Sequence, residues 1–301
     1  MRTMSPSDQR HTISAARIAA TVKADGAELC SLRDAAGCEF LWQAGSAWPR
    51  HAPVLFPIVG RLNGDHLRHD GAVYHLTQHG FARDRRFAWS TREAAICRLV
   101  LEDDAETRTL YPFAFRLELT YAVADDTLTV TYVITNPGQD VLPVSIGAHP
   151  AFRWPLAEGI ARDQHRLEFA QPEPAPVRRL QAGLLRLDRF PTPVNGRVLD
   201  LRDALFAEDA LILDRPVSRS VCYTAPGAPR IEIGWDGFDK LGIWSRAGGD
   251  FLCIEPWHGI ADPVGFDGAF ATKPGLMHIP PGEAATLSLS VRISPPDSAR
   301  R

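Results

Sequence analysis

RLELTYAVADDTLTVTYVIT, residues 116–135, carries its apolar side chains with a period of two. Leu117, Leu119, Tyr121 and Val123 alternate with Arg116, Glu118 and Thr120, the pattern of a strand with one buried face. Leu128, Val130, Tyr132 and Ile134 then alternate with Thr127, Thr129, Thr131 and Thr135, and the intervening Ala-Asp-Asp is turn chemistry, so the whole stretch reads as a β-hairpin. Working outward, the same period returns near the C-terminus. After the turn Pro280, Pro281, Gly282, the residues Leu287, Leu289, Val291 and Ile293 face one way and Ser288, Ser290, Arg292 and Ser294 the other. Nowhere is there a capped amphipathic helical pattern of three or more turns, and 24 Pro and 23 Gly punctuate the 301 residues at short intervals. The fold class is therefore all-β. Because ordinary sandwiches run near ~100 residues, this length predicts a larger one with long inserted loops. No internal repeat, linker or low-complexity tract divides the chain, so residues 1–301 read as one domain, with about 1–12 and 295–301 expected to be disordered ends.

Hydrophobic residues make up 45% and charged residues 23%, with a net charge of −3, as expected of a globular protein. The charges are interspersed. Neither a basic stripe for nucleic acid nor a polybasic membrane anchor is present, which points to a small, neutral or weakly charged ligand. The first twenty residues lack the apolar core of a secretory signal and no run reaches the length of a membrane span, so the expected location is cytoplasmic. Cys30, Cys38, Cys97, Cys222 and Cys253 form an odd set without a CxxC pair and read as reduced, mostly buried thiols.

Four segments carry candidate chemistry. In APVLFPIVGRLNGD (52–65), two prolines and a Gly-Arg pair end an apolar run in a bend; Arg61 beyond it either presents its fork of donors to ligand hydroxyls or lies solvated. In LTQHGFARD (76–84), His79 precedes Gly80, which permits close backbone approach, and Phe81, whose ring suits the apolar face of a sugar; a structural histidine beside an aromatic is the alternative. His66, His69, His75 and His79 have spacing that invites a metal, but such pairs converge only on a helix and this region reads as strand and turn, so no metal site is expected. In VSIGAHPAFRW (144–154), Pro150 biases His149 towards an extended conformation and fixes the direction of its exit, for a site or for structure alike. In FLCIEPWHGIADP (251–263), Glu255 ends a fully apolar run, where burial raises a carboxyl pKa towards that of a general base, and Trp257 offers an aromatic platform. The plain alternative is a salt-bridged glutamate at a sheet edge.

Taken in this order, the segments resemble the aldose 1-epimerase family, in the bacterial branch that reads PVLFPIVGR, QHGFAR, Gly-Ala-His-Pro-Ala-Phe and IEPW. GAELCSLRDAAGCEFLW (26–42), YPFAFRLELTYAV (111–123) and LGIWS (241–245) are similar to that branch's opening strands, middle hairpin and the strand before the glutamate. The resemblance implies a galactose mutarotase-like β-supersandwich, a sugar cleft on its concave face, no cofactor, and interconversion of the anomers of a free aldohexose such as galactose or glucose by a monomer or homodimer. By motif position it implies Glu255 as the base that takes the anomeric proton, His149 as the acid that protonates the ring oxygen, His79 as a stabiliser of that oxygen and Arg61 as a hydroxyl ligand, with Phe81 and Trp257 against the sugar. A hydroxyl-binding aspartate maps to Asp209 in FAEDALIL, with Asp236 and Asp239 in WDGFDKLG as alternatives.

Three rival readings remain open. His66, Arg68, Arg83, Arg85 and Arg86 would supply a phosphate clamp for a hexose-phosphate 1-epimerase, although the phosphate-specific branch carries an RGGIP-like run where this chain has APVLFPIVGR. Glu255 with Asp262 would serve a glycoside hydrolase, leaving the two prominent histidines without a role. A non-catalytic sugar-binding module would keep the fold without turnover.

Overall fold

The computed structural model describes residues 9–296. The 116–135 hairpin forms as its alternation demands. Strand Arg116–Ala124 pairs with Thr127–Thr135 across a tight turn in which Asp125 takes φ +48°, a left-handed conformation that aspartate tolerates. Leu117, Leu119, Tyr121 and Val123 stand opposite Ile134, Tyr132, Val130 and Leu128, and all eight are buried. The C-terminal strand Ala284–Ser294 continues the ladder, with Leu287, Leu289 and Val291 opposite Tyr132, Val130 and Leu128. Three adjacent strands thus present one apolar face, and cross-strand packing on that face stabilises the sheet.

From this nucleus an antiparallel sheet of nine strands extends, in the order Val198–Asp200, Arg166–Phe169, Ser220–Thr224, Arg230–Asp236, Ala284–Ser294, Thr127–Thr135, Arg116–Ala124, Ile96–Glu102, Ala88–Arg92. Its outer face carries charged ladders such as Arg98–Glu118 and Arg116–Glu118. The inner face packs on a smaller sheet ordered Leu211–Leu213, Lys240–Trp244, Phe251–His258, Ile146–Ala148, Val54–Leu55, with Ala151–Arg153 also paired to Phe251–His258. The two sheets meet directly. Tyr121, Leu128 and Val130 of the large sheet share a void of about 20 Å³ with Ala148 and Phe152 of the small one. One apolar cluster runs through both. The only α-helix among the described residues is the single turn Ala105–Arg108, and none of the described helices is long and apolar enough to cross a membrane. The architecture is the large all-β sandwich that the strand alternation implies.

One terminal expectation needs correcting. Residues 10–12 are ordered in strand Arg10–Ser14, which pairs with Ile18–Lys23 and buries Ile13 completely. Ile13 alone of its five residues is buried, so backbone pairing holds the strand where side-chain patterning gives no signal. Pro295 and Pro296 carry no regular structure, and the remaining terminal residues, 1–8 and 297–301, lie outside the described residues. The cysteines are free; Cys30, Cys97 and Cys253 are buried, Cys222 is half-buried and Cys38 is exposed.

Leu119 has no exposure and lies between Leu99 and Tyr132 in the ladder. Leu119→Ala is expected to lower the free energy of unfolding by about 2–5 kcal/mol, against under about 1 kcal/mol for Thr129→Ala on the outer face. Urea denaturation measures both; equal effects would contradict this assignment of faces.

Candidate active site

Strand Phe251–His258 is buried along almost its whole length because both of its faces are covered. Leu252 and Ile254 point into the main core, whereas Phe251, Cys253, Glu255 and Trp257 point to the other side of the small sheet. That far side is the floor of a cleft of about 340 Å³, within the roughly 300–1,000 Å³ typical of small-molecule sites.

Register brings the two central groups together. Gly147 pairs with Trp257, and Ala151 with Cys253, in the same antiparallel pairing. His149, midway between Gly147 and Ala151, therefore stands opposite Glu255, with the ladder relaxed at Pro150, which has no N–H to donate. Its Nε2 lies 3.2 Å from Glu255 Oε2. Trp257 Nε1 donates to the same Oε2 at 3.2 Å. On the other flank of Glu255 stands Gly242. A Cβ on Gly242 would sit 2.3 Å from Trp257 Cζ2, and one on Gly147 would sit 2.7 Å from Trp257 Cδ1. The glycines of the GAHP and LGIW motifs thus open the slot that lets the indole reach Glu255.

Above the pair lies an aromatic roof. Trp48 stacks on His149 with ring centroids 4.9 Å apart, and Trp244 meets the same imidazole edge-on at 5.9 Å. Glu255 is 2% exposed and His149 7%. Burial pushes the Glu255 carboxyl well above the usual carboxylate range, partly opposed by the Trp257 hydrogen bond and reinforced by the Asp209 carboxylate. Burial also pulls His149 down to about 3, helped by the charges of Arg83 and Arg50. Both directions favour an uncharged pair, in which one proton lies between Oε2 and Nε2 and the imidazole keeps its own on Nδ1.

His79 is fixed by the two preceding motifs acting on each other. Gly60 N–H donates to His79 Nδ1 at 3.1 Å, and His79 N–H donates to the Gly60 carbonyl at 2.8 Å. Because Nδ1 accepts, the neutral ring carries its proton on Nε2. Desolvation, with the neighbouring His149 and Arg83, holds the His79 pKa well below its usual value, so the ring stays a neutral donor. Its centroid lies 5.8 Å from that of His149.

Of the residues singled out in the sequence, His79, His149, Asp209, Glu255 and Trp257 line the cleft. Asp209 takes φ +67° and caps its own turn through Ala210 N–H at 2.7 Å. Asp236 and Asp239 do not reach the cleft, and Asp239 is held by Lys240 at 2.6 Å. Two residues are placed otherwise than expected. Phe81 is buried in the core against Phe56 and Phe115, because the left-handed pair His79 (φ +66°) and Gly80 (φ +68°) turns the imidazole into the cleft and the phenyl ring behind it. Arg61 does not line the cleft: both ends of its guanidinium engage Asp65 at 2.8 Å, four residues on.

The rival constellations do not assemble. Arg85 pairs with Glu106 and Arg86 with Asp25, leaving Arg83 as the one member of the expected phosphate clamp in the cleft wall. Asp262 is buried against Lys273 and Asn63 N–H, away from Glu255. His66 and His75 face each other on their own hairpin, apart from His79, and among the described residues the grouping that offers three metal ligands is His149, Cys253 and Glu255. Trp48, Gln78, Trp244 and Arg246 also line the cleft. The signal for two of them was present in the motifs, since Gln78 precedes His79 in QHGFAR and LGIW ends in Trp244; nothing marked Trp48 or Arg246.

The sandwich is similar to solved structures of galactose mutarotase-like proteins. A galactose mutarotase-related enzyme from Lactobacillus acidophilus superposes with a TM-score of 0.89 at 32% identity, covering 97% of this chain and all of that one. A galactose mutarotase-like protein from Lactobacillus casei superposes at 0.88 with 30% identity, over 94% and 99% of the two chains. The protein LacX of Lactococcus lactis is 31% identical over 285 residues, 89% of this chain and 94% of that protein. The family profile described as aldose 1-epimerase matches residues 9–272. The chain belongs to the aldose 1-epimerase family.

The buried carboxyl has a measurable consequence for stability. In the unfolded chain Glu255 ionises near ~4.3, while the fold retains its proton to higher pH, so its contribution is fully present below that value and is lost as pH rises from there through the raised folded pKa. Glu255→Gln is therefore expected to be more stable than the wild type at pH 7, with the advantage shrinking as pH falls towards 4. Denaturation midpoints across that range measure it; a variant less stable than wild type at pH 7 would refute the assignment.

Proposed function

We infer that this member of the family is an active aldose 1-epimerase that interconverts the α and β anomers of a free aldohexose. The observation that carries the reading is the cross-strand pair of Glu255 and His149 at the floor of the cleft, 3.2 Å apart. Ring opening requires loss of the anomeric hydroxyl proton and gain of one at the ring oxygen, and a pair with one proton does both without exchange with solvent.

In the proposed cycle sugar hydroxyls entering the cleft favour transfer of the shared proton to His149, which leaves Glu255 as carboxylate. Glu255 takes the anomeric proton, His149 gives its proton to the ring oxygen, and the C1–O5 bond breaks to the open-chain aldehyde. The pair is then uncharged again. Rotation about C1–C2 and the reverse transfers close the ring as the other anomer. His79, a neutral Nε2–H donor, hydrogen-bonds the ring oxygen and sharpens its charge development. Asp209 accepts from sugar hydroxyls, while Trp48, Trp244 and Trp257 cover the C–H faces. Arg83 and Arg246 in the cleft wall favour a second reading, a sugar with an anionic substituent.

Polarimetry or anomer-exchange NMR on freshly dissolved α-glucose and α-galactose tests the primary reading. Purified protein should accelerate exchange, and Glu255→Gln and His149→Asn should each lower that rate by roughly 10²–10⁴-fold. A near-wild-type rate in either variant removes that residue from the mechanism. No acceleration of either sugar, but acceleration with a hexose phosphate, would move the assignment to the second reading.

A further inference from the structure

Cys253 precedes Glu255 by two residues and shares its face of the strand, so the thiol lies in the small apolar cluster beside the His149–Glu255 pair rather than in the main core. A metal-ligand atom from each of His149, Cys253 and Glu255 lies within 4.8 Å of the other two. None of the three is a flexible surface group: Cys253 and Glu255 sit on strand Phe251–His258 and His149 in the break between the two strands paired to it, all three are buried, and Trp48 and Trp244 pack around them. Imidazole, thiolate and carboxylate together form the mixed N, S and O set that thiophilic divalent ions such as Zn²⁺ and Cd²⁺ take, and spacing of this order needs only small side-chain movements to reach tetrahedral geometry.

The same arrangement fits an ion in two further respects. In the uncharged pair the His149 proton is on Nδ1, which leaves Nε2 as the free lone pair once Glu255 turns its proton away. A dication with one thiolate, one carboxylate and one neutral imidazole has no net charge, so the occupied site suits a buried cavity better than an uncompensated ion would. Binding balances by release of two protons to solvent, one from the Cys253 thiol and one from the Glu255–His149 pair. His149 and Glu255 also line the cleft, so an ion would reach the three ligands from that side.

We propose that His149, Cys253 and Glu255 form an inhibitory site for a thiophilic divalent cation, which binds in competition with the sugar by occupying both members of the acid–base pair. The inhibition rests on the epimerase reading; the binding does not.

The test uses Cd²⁺ as an optical probe and Zn²⁺ as the inhibitor, on full-length protein in which the exposed Cys38 has been replaced by Ser to remove a competing thiol. The expected result is a thiolate-to-Cd²⁺ ultraviolet charge-transfer band that saturates at one ion per chain, is diminished by added sugar and disappears in Cys253→Ala. Zn²⁺ should slow anomer exchange, and Cys253→Ala should weaken that inhibition by more than the roughly 10-fold that loss of even an outer partner costs a metal site, while retaining anomer exchange without metal. Cys253→Ser serves as the second variant should alanine leave the strand underpacked. Absence of the band in the Cys38→Ser protein, its persistence in Cys253→Ala, or equal Zn²⁺ inhibition of both proteins overturns the proposal. If no sugar is turned over at all, the Cd²⁺ band still decides the site, so failure of the epimerase reading and failure of the metal site are separate results.

Discussion

The rest of the site depends on the pairing of His149 with Glu255 across two antiparallel strands. A carboxyl at 2% exposure is costly unless its oxygens are satisfied, and here one of them meets both an imidazole nitrogen and an indole N–H. Each partner is available only because of what lies next to it. His149 reaches Glu255 because strands Ile146–Ala148 and Ala151–Arg153 keep the same register on either side of it. Trp257 reaches it because Gly147 and Gly242 have no side chains. Behind them the apolar face of the nine-stranded sheet packs against the small sheet, so the close approach of the two groups is supported by a strand and by the short break between two strands paired to it. The structure thereby retains a group that works against stability at neutral pH, a common property of acid–base centres.

How much of this the sequence discloses depends on which physical signal each residue leaves. Strand alternation in 116–135 and 284–294 is local, so both the elements and their buried faces were legible. Glu255 stood out because a carboxylate after four apolar residues is anomalous wherever the strand lies. His149 stood out for its proline, but its partner is 106 positions away and only the register reveals it. Phe81 was misplaced for a different reason. A period-two reading assumes extended backbone, and two successive left-handed residues, one of them the non-glycine His79, reverse which neighbour faces the cleft. Arg61 looked free because the pattern of a bend does not say which acid it will meet; Asp65 was in view in the same segment. Trp48, with no motif around it, is brought over His149 by the long loop before strand Val54–Leu55, and loops of that kind carry little patterning to read.

The division of labour between strands and loops bears on specificity. His149 and Glu255 belong to the sheet and its interruption, whereas Trp48, His79, Arg83, Asp209 and Arg246 come from connecting segments around the cleft. On the proposed function, changes in those segments would alter which ligand groups are bound without disturbing the cross-strand pair, because the pair is braced from the core side. His79 is the exception among them. Its ring is clamped to Gly60, whose close approach to Ala261 forbids a side chain, so the loop holding the neutral donor is as constrained as the strands.

Asp209 connects the two parts electrostatically. Its carboxylate adds to the rise in the Glu255 pKa, so in the empty cleft it helps keep the shared proton on Glu255. In the proposed reaction a sugar hydroxyl donating to Asp209 spreads that negative charge into a hydrogen bond and weakens its field at Glu255. The shared proton then costs less to move to His149, and the carboxylate that accepts the anomeric proton forms only when a hydroxylated ligand is present. A hydrophobic occupant of the same volume would desolvate the pair further and leave the proton where it was. On this proposal the residue that binds a sugar hydroxyl would also set the protonation state in which the pair begins catalysis, which ties selectivity for polyhydroxylated ligands to turnover rather than to binding alone.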